Sequence, residues 1–419
     1  MPRMETPTPQ STPSTLLHRL RQTALVLLGV VALGIVFLYL AGPHLVMILL
    51  NRTDASAARP VSAEAAALHA RLTVVDLHSD VLMWNRDILE RDTRGHTDVP
   101  RLIEGNVAVQ GFTAATRIPA TMNIDATPDR WDVQVPLTLF QGWPAATWTS
   151  AKHRALFMAR KFEKAAEASN GQLSFLRTRE DLARYLERRR GDPRITAGFL
   201  GIEGLHCLEA DLNNVRAMFN AGFRMMAPTH FFDNPLGGSA HGLQKMGLTE
   251  FGAEVIKTME QLQIIVDLAH ASPKMIDDIL ALVTRPVVIS HTGVKGTCDN
   301  NRNLSDDQLR RIAAGGGLIG IGFWPTATCG EDTASIARAI RYTADLVGVD
   351  HVCLGSDYDG ATVTPFDAAG MAQLTQALME SGFSEDEIAR IMGGNVLRLW
   401  AQLLPSEADP TPDVIPQAG

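Results

Sequence analysis

Cysteine is scarce and scattered in this chain: Cys207, Cys298, Cys329 and Cys353 are all there is in 419 residues. So few, so widely spaced, exclude a disulfide-built fold and a Cys-rich zinc site, although one pair could still close in an oxidising compartment. Basic residues are also short, 38 Lys and Arg against 46 Asp and Glu, for a formal net charge of -8. Residues 1–22 hold Arg3, Arg19 and Arg21 against Glu5, so their +2 leaves -10 on the remainder of a chain whose total is -8. That balance argues against nucleic acid or an anionic membrane face as partner of the main domain. A Gly-x-Gly-x-x-Gly fingerprint is missing after the first predicted strand, which counts against a dinucleotide-binding fold.

Charge is absent from one long stretch. After a Pro, Ser and Thr-rich start and Arg19 and Arg21, residues 23–41 read TALVLLGVVALGIVFLYLA. The run is long enough to cross a bilayer as a helix, and it is apolar on every face, unlike a core helix. It exceeds an ordinary signal-peptide core, and no small-x-small cleavage site closes it, so an uncleaved signal anchor is expected rather than a cleaved signal. Arginines ahead of the span place the N-terminus in the cytoplasm and the main domain in the periplasm or outside. The expected organisation is a cytoplasmic tail over 1–22, a transmembrane anchor over 23–41, a linker over 42–62, a catalytic-size domain over 63–403 and a disordered Pro-rich tail over 404–419.

With 46% hydrophobic residues, the chain can bury a large core. Eight short apolar runs read as strands: LTVVDL from residue 72, VAVQGFTAA from 107, TAGFLGIE from 196, FRMMAPT from 223, IIVDLA from 264, PVVIS from 286, GLIGIGF from 317 and HVCLGS from 351. Helical patterns such as SAEAAALHARL, AEVIKTMEQLQ, SPKMIDDILALV and SIARAIRYTADLVG lie between them, several opened by a capping Ser. Alternation of this kind predicts parallel βα units, and eight of them predict a (β/α)8 TIM barrel, with a doubly wound open sheet as the alternative. The stretch 118–195 is long for one crossover and reads as an extended loop followed by helices: a lid over the barrel mouth, or a stabilising excursion.

Barrel chemistry sits at the C-terminal ends of the strands. There the chain places His78 and Asp80 in VVDLHSDVL, Glu203 in GFLGIEG, His230 in MMAPTH, His270 in IIVDLAH, His291 in VVISH and Asp357 in LGSDYD. Each alone has an ordinary explanation as a turn cap, a polar strand end or a hydrogen-bonded interior histidine. Together, imidazoles and carboxylates without thiolates fit zinc, with manganese or cobalt as substitutes. They are too many for one ion that must keep an open position, so two ions sharing Glu203 are expected, and metal-assisted hydrolysis with them. Arg302, in NNRNLSDDQL, either grips a substrate carboxylate or pairs at the surface with Asp306 or Asp307.

DLHSD, GIEG, PTHFFDNP, DLAHAS, ISHTG, NRNLSDD and GSDYDG, with VPRLIEGNVAVQGF ahead of most of them, resemble in order and spacing the motifs of the membrane dipeptidase (renal dipeptidase) family of zinc peptidases, over residues 72 to about 400. The resemblance implies a (β/α)8 barrel with two zinc ions, a hydroxide bridging them, and hydrolysis of L,L and L,D dipeptides. It implies that His78 and Asp80 bind the first zinc, His270 and His291 the second, and that Glu203 bridges. His230 would hold the scissile carbonyl oxygen, Asp357 would move the proton, and Arg302 would take the substrate's C-terminal carboxylate. A disulfide between Cys298 and Cys329, and a homodimer, are further implications.

Leu77 and Ser79 stand where many relatives have Gly and Asn, FFDNPLGGSAHG lacks the Cys and Trp of animal members, and the predicted anchor is N-terminal instead of a C-terminal lipid. Two rivals remain on the same barrel. Other binuclear amidohydrolases commonly open with His-x-His and bridge with a carboxylated Lys, whereas this chain has His-x-Asp and Glu203. A non-catalytic membrane-tethered binding protein would have little need of Asp357 and Arg302 beside intact ligands.

Overall fold

The β-branched and apolar runs form eight parallel strands in the computed structural model, which describes residues 13–409. They are β1 Val74–Ser79, β2 Val107–Ala115, β3 Thr196–Glu203, β4 Phe223–Ala227, β5 Ile265–Val266, β6 Val288–Thr292, β7 Leu318–Ile321 and β8 Val352–Leu354. All eight expected runs contribute a strand, each buried on both faces as a helix-covered parallel sheet requires. The hydrogen-bonded path runs β5-β4-β3-β2-β1-β8-β7-β6. Between β5 and β6 a single parallel bridge joins Asp267 to Val288, with Leu268 N donating to Val288 O at 2.8 Å. The result is a curled, TIM-like half-barrel, as expected, and not an open doubly wound sheet. A short extra strand, Leu173–Phe175, adds to β3 from outside.

One buried cluster draws a side chain from every strand: Val75, Val109, Phe199, Met225, Ile265, Val288, Leu318 and Cys353. Side chains from eight strands meet only inside the curl, so the barrel is filled. Helix Asn395–Leu403 closes its floor, with Trp400 edge-on to Phe199 at 5.2 Å between ring centroids. Chemistry is left to the opposite end.

Ser62 and Ser272 cap their helices as expected, accepting from Ala65 N and Met275 N. The helix around SIARAIRY begins earlier, at Thr333, because Asp332 is its cap and Ser335 donates back to that carboxylate at 2.6 Å. The excursion 118–195 folds into helices Gln134–Phe140, Ala146–Thr149, Ala151–Ala168 and Arg179–Gly191.

Both ends depart from the expected boundaries. The N-terminal helix, α1, spans Pro13–Leu50 and so runs through Pro43 into the segment expected as linker. Ala41–Leu50 is a further apolar stretch of the helix, and Met47 is buried against the barrel rim with Met83, Trp84, Ala115 and Ile118, which keeps the helix going. Within it Leu17–Tyr39 is long and apolar enough to cross a membrane, with none of that window buried. At the other end, Leu404 is buried, Pro405 O accepts from Arg179 N, and Ser406 Oγ donates to Glu180 at 2.7 Å. Residues 404–409 are therefore pinned to the barrel base by contacts their Pro-rich sequence does not display. Residues 1–12 of the expected cytoplasmic tail and 410–419 of the expected C-terminal tail lie outside the described residues.

Cys298 and Cys329 are joined as a disulfide with Cα atoms 5.2 Å apart, while Cys207 and Cys353 are buried and free.

Candidate functional site

Two strand irregularities aim the site. In β1, Asp76 pairs with Gln110 but Ser79 pairs with Phe112, so three steps on β1 face two on β2. An extra residue of this kind carries the side chains beyond it to the opposite face. Val75 and Leu77 point into the barrel, and past the bulge His78 and Asp80 do so as well. β6 repeats the device, Ile289 pairing with Ile319 and Thr292 with Ile321, and His291 turns inward.

Glu203, the last residue of β3, lies at the centre. Its Oε1 is 2.8 Å from His270 Nε2, 3.2 Å from His291 Nε2 and 3.8 Å from His78 Nε2, and its Oε2 is 3.3 Å from His230 Nε2. His78 Nε2 also lies 3.6 Å from Asp80 Oδ2 and 3.8 Å from Asp357 Oδ1. His270 and His291 bring their Nε2 atoms to 3.1 Å from each other. Every strand-end residue singled out in the sequence is thus in one cluster. Arg302 joins it: 6% exposed, it donates through Nη2 to His291 O at 2.8 Å and stacks over Trp324. Asp306 and Asp307 face Arg310 and Arg311 instead, so the surface pairing considered for Arg302 is not formed.

The electrostatics of this cluster favour added positive charge. Burial, and then the charge of Asp80, pushes the Glu203 carboxyl well above its usual range. Burial raises Asp357 to about 7, with His78 opposing. Burial lowers His230 to about 3 and holds His270 and His291 well below the ordinary imidazole value. His78 alone goes the other way: burial opposes its charge, but Glu203, Asp80 and Asp357 together raise it to about 10. His78 Nε2 nevertheless has no hydrogen-bond partner among the described residues. Neutral imidazole lone pairs aimed at carboxylates that resist ionisation fit divalent metal ions, which relieve both penalties. Among the described residues three donor triads are compact enough: His78, Glu203 and His291; Glu203, His230 and His270; His78, Asp80 and Asp357.

A second ring of residues orients the first. Ser290 Oγ lies 2.8 Å from His291 Nδ1 and 3.3 Å from His78 Nδ1. His241 Nε2 is 3.1 Å from His270 Nδ1, while its Nδ1 meets Ile124 O at 2.9 Å. Thr113 donates to Asp80 Oδ1 at 2.8 Å. Such partners set the tautomer and aim of a metal-binding group. None was anticipated from sequence. Ser290 adjoins His291 and was open to notice, whereas His241 reaches the site only through a folded loop.

His270 and Asp357 both sit at φ 62°, in the left-handed region that side-chain-bearing residues seldom adopt. Strain of this sort costs on the order of 1–3 kcal/mol per residue and collects where geometry serves function. Gly204, following Glu203, has φ +77°, and a Cβ there would meet the His206 ring at 2.7 Å and His230 at 2.8 Å.

The cluster opens into a cavity of about 690 Å³, within the range of small-molecule sites. Asp80, Glu203, His230, His270, Arg302 and Asp357 form one side of it. The rest of its lining is mostly apolar, drawn from the excursion, the end of α1 and barrel-rim residues such as Met83, Trp84 and Phe231.

A barrel whose strand ends gather donors for metal ions defines a class, the metal-dependent hydrolases of TIM-like fold. Within that class, residues 62–408 match the membrane dipeptidase family, peptidase family M19, and the chain belongs to it. It is accordingly a metallopeptidase, a hydrolase acting on dipeptides. An uncharacterized dipeptidase of Schizosaccharomyces pombe, C965.12, is 28% identical over 356 residues, covering 79% of this chain and 80% of the relative. The dipeptidase aclJ of Aspergillus oryzae is 32% identical over 221 residues, 49% of this chain and 51% of its own length. Among solved structures, the metallopeptidase dipeptidase AC superposes with a TM-score of 0.68 at 25% identity, covering 80% of this chain and 99% of its own. A metallopeptidase of Rhodobacter sphaeroides, liganded with a phosphinate mimic of the dipeptide L-Ala-D-Ala, gives 0.65 at 25% identity, covering 79% and 99%.

Proposed function

We propose that this protein is a membrane-anchored zinc dipeptidase whose two ions share Glu203, with His78 and Asp80 holding one and His270 and His291 the other. The observation that carries this reading is the convergence of His270, His291 and His78 on one oxygen of one buried carboxylate, at 2.8, 3.2 and 3.8 Å. Manganese or cobalt would suit the same nitrogen and oxygen donors. When bound, such ions would lower the pKa of water to supply a nucleophile and would polarise the scissile carbonyl.

The chain's own residues do the rest. His230, neutral through burial, turns its Nε2 into the site, 3.3 Å from Glu203 Oε2, and in the Nε2–H tautomer it donates to the carbonyl oxygen as charge develops on it. Asp357, raised by burial to about 7, accepts a proton near neutral pH and returns it to the leaving amine. Arg302, fixed by its bond to His291 O and its stacking on Trp324, takes the C-terminal carboxylate, which makes the substrate end after two residues. A dipeptide with a D residue in second place keeps that carboxylate and is a fitting substrate. The apolar helix anchors the protein, with the N-terminus cytoplasmic and the barrel domain, residues 63–403, outside the cytoplasm, where the Cys298–Cys329 disulfide is stable.

The test is hydrolysis by the full chain, loaded with zinc in detergent, of L,L and L,D dipeptides beside a tripeptide and an N-acetylated amino acid. Turnover confined to dipeptides is expected. Faster turnover of the acetylated compound would instead favour an amidohydrolase.

A further inference from the structure

The helix that carries the membrane span does not stop at the membrane side of the molecule. Beyond Tyr39 it continues to Leu50, and Leu38, Gly42, Pro43, Val46 and Leu50 all line the cavity that holds Glu203, His230 and Arg302. Leu38, Gly42, Val46 and Leu50 recur every four residues and Pro43 lies three before Val46, which puts them on one helix face. Ile118, Met122 and Phe140 of the excursion and Met83 just after β1 line the same cavity, so the lining around that face is apolar as well.

This end of α1 is held in place. Met47 is 2% exposed, packed with Met83, Trp84 and Ile118. Asn51 Oδ1 accepts from Ala361 N at 2.8 Å. Arg52–Thr53 then pairs in parallel with Val363–Thr364, Arg52 N donating to Thr362 O at 3.1 Å and Asp54 N to Thr364 O at 2.8 Å. The segment so paired begins four residues past Asp357. The anchor is thus stitched to the loop that carries a site residue, and its inner face is part of the site.

We propose that the juxtamembrane end of α1 is a specificity-determining wall of the substrate cavity, and that it selects dipeptides bearing bulky apolar side chains. This rests on the dipeptidase reading above. The polar cluster serves the peptide's backbone, charge and termini, which every dipeptide shares; discrimination falls to the wall that meets side chains. Methylene-scale differences in such a pocket change kcat/KM by about ten- to two-hundredfold. Val46 is the residue to alter, since it faces the cavity while its neighbour Met47 does the packing.

The experiment uses the full chain in phosphatidylcholine–phosphatidylglycerol nanodiscs with zinc. In Val46→Asp, the ratio of kcat/KM for Leu-Leu to that for Gly-Gly is expected to fall at least tenfold; a ratio equal to wild type in an active variant overturns the proposal. A second readout does not need turnover. In Val46→Cys, a maleimide should label position 46, the native free thiols being buried, and a phosphinate mimic of Leu-Leu should slow that labelling. Labelling at one rate with and without the mimic overturns the proposal. Protection by the mimic in a protein that cleaves no dipeptide would uphold the wall and defeat the dipeptidase reading, so the two ideas fail separately.

Discussion

The two walls of the cavity are built by opposite means. The polar wall stands on strand ends, its side chains buried, hydrogen-bonded and aimed by bulges in β1 and β6. The apolar wall is assembled largely from the apolar N-terminal helix and a long excursion between β2 and β3, appended to barrel-rim residues such as Met83, Trp84 and Phe231. A rigid frame thus holds groups whose geometry must be right within fractions of an ångström, and appended segments shape the part that varies with substrate. Changes in the polar wall should hit all substrates alike, while changes in the apolar wall should depend on the side chain.

The largest effect belongs to the shared carboxylate. Glu203→Gln should lose zinc and about a thousandfold in kcat/KM for every dipeptide, with the circular dichroism of the barrel unchanged, because in the proposed centre one ligand serves both ions. Activity near wild type would break the comparison at its centre. His230→Ala should come next, lowering kcat by about a hundred- to a thousandfold while zinc content stays, as removal of one oxyanion donor does. Its place in a donor triad with Glu203 and His270 makes the metal assay informative, since loss of zinc would make it a ligand. Arg302→Ala should raise KM for all dipeptides by more than tenfold with zinc retained, and should narrow the gap between a dipeptide and its C-terminal amide.

Smaller effects concern stability. Cys298→Ser opens a loop of 31 residues' separation and should cost about 2–4 kcal/mol, read as a lower melting temperature, with metal content unaffected. The pH dependence has a definite sign at His206, a half-buried residue near the polar wall whose two ring nitrogens are buried without a hydrogen-bond partner among the described residues, held at about 3 by burial and then by Arg117. The unfolded chain protonates this residue below about 6.5 and the folded chain only near 3. Its contribution to stability is therefore complete above 6.5 and is lost as pH falls toward 3. Melting temperatures at about pH 7 and pH 5 should differ less in His206→Leu than in wild type; an equal difference would mean that other groups dominate.

The polar wall was legible in sequence and the apolar wall was not, for a physical reason. Strands announce themselves by β-branched runs, and the residues just past each run fall at the barrel mouth whatever surrounds them, so His78, Glu203, His270 and His291 could be placed by counting. That His78 and Asp80 both turn inward depends on a mismatch with β2, a property of two strands and not of either alone. Ser290 is recognisable only once His78 and His291 are seen to flank it, and His241 only once its loop has folded back on His270. The course of α1 past residue 41 was hidden in the same way. Gly42 and Pro43 read locally as a helix end, but Met47 finds a buried site on the barrel rim and the helix continues.

Zinc titration of the metal-stripped full chain, with Gly-Gly hydrolysis followed in the same samples, tests the shared-carboxylate site most directly. Activity should require two equivalents of zinc per chain in wild type and should stay absent in Glu203→Gln at any zinc level. Full activity at one equivalent, or zinc-independent hydrolysis, would contradict a centre of two ions held around Glu203.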